Sequence, residues 1–225
     1  MVDEVGAPEA VTEDDGFGEP TRISEAAALR ALAHPLRQRL FEQLVLFGPL
    51  TATQLAERVD DSPSNCSWHL RKLAEHGFVE EDPAGGPGRR RPWRAAVRAL
   101  RWGDRDEDGT PGTEAESRAA GEHLARMVLE REVGRLHEAW TRLAGEGEVW
   151  RDAATMTQSL LWLTAEELRE VNDQVREVLL RHRDRHDHPE RRPAGARLCA
   201  MVAWGVPTYD LGEPAPGADV PPGVG

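Results

Sequence analysis

Residues 61–77 read DSPSNCSWHLRKLAEHG, and the reading of this stretch decides the fold. Ser62 carries the short oxygen-bearing side chain that caps a helix N-terminus. Pro63 suits the first helical position, where a missing N–H costs nothing, and Gly77 suits the left-handed residue just past a helix end. This punctuation predicts a helix of about four turns. Within it Cys66, His69, Leu70 and Leu73 recur at spacings of three and four and fall on one side, while Ser64, Asn65, Ser67, Trp68, Arg71 and Lys72 point away. One face can sit on a core while the other, polar and then basic, reaches out.

Upstream, residues 51–59 (TATQLAERV) predict a shorter helix, with Thr51 and Gln54 placed as a capping box and Leu55, Ala56 and Val59 apolar. Two helices separated by Asp60 and Asp61 make a helix-turn-helix with the second in the recognition position. Downstream, residues 78–81 are strand-like, residues 83–91 (PAGGPGRRR) form a turn-rich tip ending in Arg89, Arg90 and Arg91, and residues 92–97 return as a second strand. That layout is a winged helix-turn-helix, in which the wing grips phosphates or a minor groove beside a helix-filled major groove.

The expected DNA-binding residues are Ser64, Asn65, Ser67, Trp68, Arg71 and Lys72 on the helix and Arg89, Arg90 and Arg91 on the wing. Asn65 has the chemistry to read adenine, and Arg71 to meet a guanine edge or a phosphate. The competing reading for Trp68 is packing against a dimer partner or the wing base; for the wing arginines it is a solvated loop. His69 is expected as a hydrogen-bonded core histidine, and Cys66 as a small buried hydrophobe.

Residues 29–82 as a whole resemble the DNA-binding domain of ArsR-like winged-helix transcriptional regulators. The matching marks are A-x-x-H-P-x-R from Ala31 to Arg37, L-T-x-x-Q-L-A from Leu50 to Ala56, and Ser62 followed by His69, Leu70 and Leu73, ending in Gly77-Phe78-Val79. The resemblance implies a dimeric, sequence-specific DNA binder. Metal-binding members of that family carry an E-L-C-V-C-type sequence in or beside the recognition helix; here only Cys66 stands in that region, so the resemblance is to a non-metal-sensing type.

The formal charge of the 225-residue chain is −12, which taken alone argues against DNA. Its distribution reverses the argument. Residues 21–102 hold 13 Arg or Lys against 9 Asp or Glu, a net +4, and the remainder holds 15 against 31, a net −16. Lys72 is the sole lysine beside abundant Arg, Ala, Gly and Pro, a bias expected of a bacterial GC-rich genome. Two cysteines, Cys66 and Cys199, make no disulfide framework, the acidic start has no signal-peptide pattern, and no apolar run is long enough for a membrane helix. These features predict a cytoplasmic protein with no membrane partner. Enzymatic chemistry finds no phosphate-cradling Gly loop, nucleophile elbow, paired cysteines or H-E-x-x-H, so no catalytic residue, cofactor or metal site is expected. His182, His186 and Asp187 could converge on a metal, but a solvated helix end is the preferred reading.

The chain-wide expectation is a mainly α fold with small β. An acidic disordered tail (1–20) precedes the winged helix-turn-helix (21–102), in which residues 23–33 are helical, Pro35 opens a helix to Phe47, and Leu36, Leu40, Leu44 and Phe47 form the core. Arg37 and Arg39 lie on the opposite flank, either touching phosphate or merely solvated. A linker (103–113) leads to a dimerisation half (114–205) and a Pro/Gly-rich tail (206–225). That half opens with a long helix to about Ala144, whose Ala125, Leu129, Val133, Leu136, Trp140 and Leu143 make a near-heptad seam suited to a partner helix. It closes with a small α+β unit: a strand at 158–163, a helix from Ala165 capped by Thr164 and Glu167, and a strand at 197–204. The tryptophans of this half could wall a pocket for a small-molecule effector, though core filling is the commoner use. The expected function is a homodimeric repressor acting on a palindromic operator; the alternative is a winged-helix protein-interaction module without DNA readout.

Overall fold

The computed structural model describes residues 21–85, 91–102, 115–186 and 188–209. They form two compact units, one running to Ala154 with residues 184–192, the other comprising residues 155–183 and those from 193 onward. The described residues are mostly helical, with short strands, as the sequence predicts.

The first unit opens with β1 (Thr21–Arg22) and α1 (Ala26–Leu32). α2 (Pro35–Phe47) starts at the expected proline, and His34 caps it, its Nδ1 accepting the Leu36 N–H at 3.2 Å. Leu36, Leu40 and Leu44 are buried, whereas Phe47, expected with them, is 46% exposed beneath the Arg58 guanidinium. Phe47 is the last residue of α2 before Gly48 turns the chain at φ 76°, so it reaches the rim of the core instead of its centre.

α3 (Ala52–Val59) carries the anticipated capping box, Thr51 N–H donating to Gln54 Oε1 at 2.8 Å and Gln54 N–H to Thr51 Oγ1 at 3.2 Å. α4 (Pro63–Ala74) begins under Ser62, whose Oγ accepts the Asn65 N–H at 3.2 Å. Its end is closed by Gly77 at φ 72°: Gly77 N–H donates to Ala74 O at 3.0 Å and Phe78 N–H to Leu73 O at 3.1 Å. Those two bonds are a Schellman closure, and its apolar partners Leu73 and Phe78 are both buried. Cys66, His69, Leu70 and Leu73 face inward, joining Leu40, Leu44, Leu55 and Val59 in one core cluster.

The wing follows as β2 (Val79–Glu81) antiparallel to β3 (Trp93–Ala95), in the register Val79 to Ala95, Glu80 to Arg94 and Glu81 to Trp93. Trp93 also exchanges two backbone bonds with Leu50, which lends the wing a third edge. β4 (Leu100–Arg101) pairs in parallel with β1. This pairing of two-residue strands has no sequence signature.

α5 (Ala115–Leu143) packs its first turns on α1, burying Ala120, Gly121 and Leu124. Further along, its contact to α2 is polar: Arg131 Nη1 donates to Gln38 Oε1 at 3.3 Å and Arg135 Nη2 to Glu42 Oε1 at 2.5 Å. The helix thus belongs to the first compact unit. A short α6 (Glu148–Ala153) ends that unit's main segment.

In the second unit α7 (Ala165–Leu180) is capped as expected by Thr164 and Glu167. The flanking runs at 158–163 and 197–204, expected as strands of an α+β unit, are assigned to no strand within the chain. Strand character depends on a ladder partner as well as on side-chain preference, and the described residues of one chain supply none.

Leu70 is fully buried between the helices of the motif. Leu70→Ala is expected to lower unfolding free energy by about 2–5 kcal/mol, read from urea denaturation followed by circular dichroism.

Candidate nucleic-acid interface

The caps and apolar spacing of α4 determine which side chains it presents outward. Ser64, Asn65, Trp68 and Arg71 are exposed, and Ser67 and Lys72 partly so. The six helix residues expected to meet DNA therefore share the outer side of one helix.

Each is oriented by a neighbour. The Asn65 amide donates to the Asp61 carboxylate at 3.0 and 3.2 Å, and the Ser62 N–H donates to the same group at 2.6 Å. The bond from Asn65, then that from Ser62, holds the Asp61 carboxyl below the usual carboxylate range. Asp61 thus stays ionised and fixes the Asn65 amide. Arg71 Nη2 donates to Ser67 Oγ at 3.1 Å, leaving most of its guanidinium donors free of that bond. Ser64 Oγ lies 3.2 Å from Ser62 Oγ.

Trp68 is 50% exposed. Its ring stands edge-on to His69 at 4.7 Å, and Lys72 Nζ lies 5.9 Å from its centroid while bonding both Glu75 oxygens at 2.9 Å. The indole is braced by its own helix and leaves half its surface outward.

In the wing, Arg91 pairs with Glu81 at 3.0 Å, and Arg94 with Glu80 at 2.6 Å. Arg89 and Arg90 lie outside the described residues. Arg94 was not among the sequence candidates; its exposed position in the strand opposite Glu80 follows from the hairpin register. Of the two α2 arginines, Arg39 is exposed, whereas Arg37 is half-buried with no bond to its Nε among the described atoms. Burial pushes the Arg37 guanidinium down from its ordinary value, an unfavourable setting for a phosphate contact.

Beneath the interface lie two imidazoles. His69 is buried as expected, but its Nδ1 has no hydrogen-bond partner among the described atoms, and its ring rests 4.5 Å from that of His34. The reading of a hydrogen-bonded histidine is corrected to one held by a tilted ring contact: the nearest ring, His34, spends its Nδ1 on the α2 cap. Burial lowers both pKa values, with Arg37 adding to the shift at His34, and with His34 and then Arg37 adding to it at His69. Both shifts favour the neutral ring.

Elsewhere, His182 is exposed, His186 is half-buried and Asp187 lies outside the described residues; among the described residues no group of three or more metal-ligating side chains converges. No described helix is long and apolar enough to cross a membrane.

Residues 32–82 match the family model of a helix-turn-helix domain, a span that takes in α2, α3, α4 and β2. No curated protein matches the chain. The match and the geometry of α4 together support the class of DNA-binding transcriptional regulators.

The lowered pKa values of His34 and His69 give a pH dependence of definite sign. Below about pH 6.5 the unfolded chain takes up protons that the folded chain refuses, so stability is full above that value and is lost as pH falls toward the folded-state pKa values. Thermal melts are expected to show Tm falling between about pH 7 and pH 5. His34→Asn puts a side-chain oxygen in place of the capping Nδ1 and removes one titrating ring, and is expected to make the fall shallower.

Proposed function

We propose that the protein is a homodimeric transcriptional repressor of the ArsR-like, non-metal-sensing type. α4 enters the major groove of a palindromic operator and the wing lies along neighbouring phosphates. The observation that carries this reading is the outer side of α4, where Asn65, Ser67, Trp68, Arg71 and Lys72 stand together on a helix capped at both ends. Asn65, Ser67 and Trp68 supply sequence preference; Arg71, Lys72 and the wing arginines Arg89, Arg90 and Arg91 supply phosphate affinity.

The bonds these residues make in the free protein do not oppose that role. Lys72 and Glu75 are surface groups, 39% and 53% exposed, and such a pair is worth about 0–1 kcal/mol. A DNA phosphate can replace the carboxylate at little cost. The same holds for Arg91 and Glu81. Cys66 supports the non-metal reading: it is fully buried, and burial, then the Asp61 charge, push its thiol pKa up, away from the thiolate a metal needs.

Dimerisation is supported by α5. Leu129, Val133, Leu136 and Trp140 are exposed along it at the spacing expected for a partner helix, while Arg131 and Arg135 on the other side reach α2. A twofold pair of recognition helices then reads two half-sites about one helical turn apart. A small-molecule effector would act by favouring one spacing of those helices over another.

Selection of genomic fragments with the purified protein tests the reading. An enriched inverted repeat is the expected result; no enrichment, with salt-insensitive or negligible DNA binding, would replace it with the protein-interaction module. On the selected site, joint replacement of Arg89, Arg90 and Arg91 by Ala is expected to reduce the salt slope by up to about 3, and Lys72→Ala by about 1, uniformly across sequences. Trp68→Ala is expected instead to change the preferred sequence, read by repeating the selection.

A further inference from the structure

The second unit has a composition that its single-chain structure does not satisfy. α7 has no buried residue, and Val171, Val175, Val178 and Leu179 on its apolar side are all at least 36% exposed. The runs on either side are more open: Trp162 is 79% exposed and Trp204 64%, with Leu160, Leu161, Leu198 and Met201 all above 60%.

Both runs lie outside any helix, strand or turn, and among the described bonds between backbone groups none is made by residues 156–163 or 198–206. In a strand, alternation would place Leu160 with Trp162 on one side of the first run, and Leu198, Ala200, Val202 and Trp204 on one side of the second. The second run is seated on α7 where Asn172 Nδ2 donates to Gly205 O at 3.3 Å, and a Cβ at Gly205 would collide with Asn172 Oδ1. Beside the helix stand two runs with strand composition and, among the described residues, no ladder.

We propose that residues 156–163 and 198–206 pair with the same runs of a second copy of the chain, as strands of one sheet shared across the dimer. An unmade row of backbone N–H and C=O groups is a template for another strand, and flanking apolar side chains make the pairing adhesive. Area favours a second copy over a short peptide. A buried aromatic covers about 150–250 Å², so two tryptophans with four aliphatic neighbours reach on the order of 800 Å² per chain, the share one partner gives to a standard interface. A twofold arrangement also doubles the contact, since each copy offers the same two runs. The proposal deepens the dimeric reading above and rests on it only for the existence of a dimer.

The test uses the full chain. Sedimentation velocity over a dilution series locates the dimer, and amide hydrogen exchange is followed at concentrations above and below its Kd. The expected result is slow exchange of residues 156–163 and 198–206 in the dimer, lost on dilution, while α4 amides stay protected throughout. Free exchange in the dimer, or slow exchange that persists in the monomer, would overturn the proposal. Leu161→Pro and Met201→Pro each remove a ladder donor where the single chain makes no described bond, and each is expected to raise the dimer Kd at least tenfold; an unchanged Kd in both overturns it too. If either variant loses α4 protection, the wild-type exchange decides. An operator-binding dimer with freely exchanging runs would sink this inference and leave the regulator standing, whereas protected runs with no DNA selection would do the reverse.

Discussion

The structure depends on one constraint: α4 must be buried along one side and closed at both ends. Leu70, Leu73 and Cys66 meet Leu40, Leu44, Leu55 and Val59 in a single core, each large apolar side chain contributing about 1.5–3 kcal/mol on burial. Ser62 determines where the helix begins, and Gly77 with Phe78 where it ends. Turning α4 by one residue would bring Trp68 toward the place of His69 and expose a leucine, so rotation is set by burial and register by the caps. The outward position of Asn65, Trp68 and Arg71 is a consequence of what the opposite side must bury.

That dependence explains how far the sequence could be read. Ser62, Thr51, Gln54, Thr164 and Glu167 act through bonds three residues away, Pro63 through its fixed φ, and such local effects are visible in a local pattern; all three capped helices begin where those residues place them. The inward residues of α4 were visible for the same reason. Phe47 was misplaced because helical spacing describes a stripe but not how far along the helix the core extends. The bonds of Asn65 to Asp61 and of Arg71 to Ser67 span one helical turn, yet they depend on rotamers that spacing alone does not choose. The β1–β4 pairing and the ring contact of His34 with His69 join residues far apart in the chain and leave no local mark.

The joint between α5 and α2 differs in kind from the rest of the core. Apolar faces slide with little change in energy, but Arg135 meeting Glu42, beside Glu132, is a directional contact in a partly buried setting. Burial alone would lower the Arg135 pKa, yet the Glu42 bond and charge, with Glu132, more than offset it and raise the value. Losing one partner would leave the other partly desolvated without compensation. The polar joint therefore ties the register of α5 to α2, and α2 packs against α4. A change in how α5 meets a second helix has a physical route to the recognition helix through bonded groups.

The exposed surfaces of the chain differ by chemistry. On α4 the outer side is polar and cationic, built from amide, hydroxyl, indole and guanidinium groups that can bond to base edges and phosphates. Along α5 and through residues 155–209, where acidic and basic residues balance, the exposed groups include Leu, Val, Met and Trp. Those surfaces gain nothing from a polyanion, and removing them from water is favourable only against another apolar surface. For the two runs that flank α7, a partner that completed them as strands would have to supply hydrogen bonds as well as apolar surface. Among the described residues no neighbouring strand stands beside them, and a ladder partner is a requirement that no reading of one strand's sequence can satisfy.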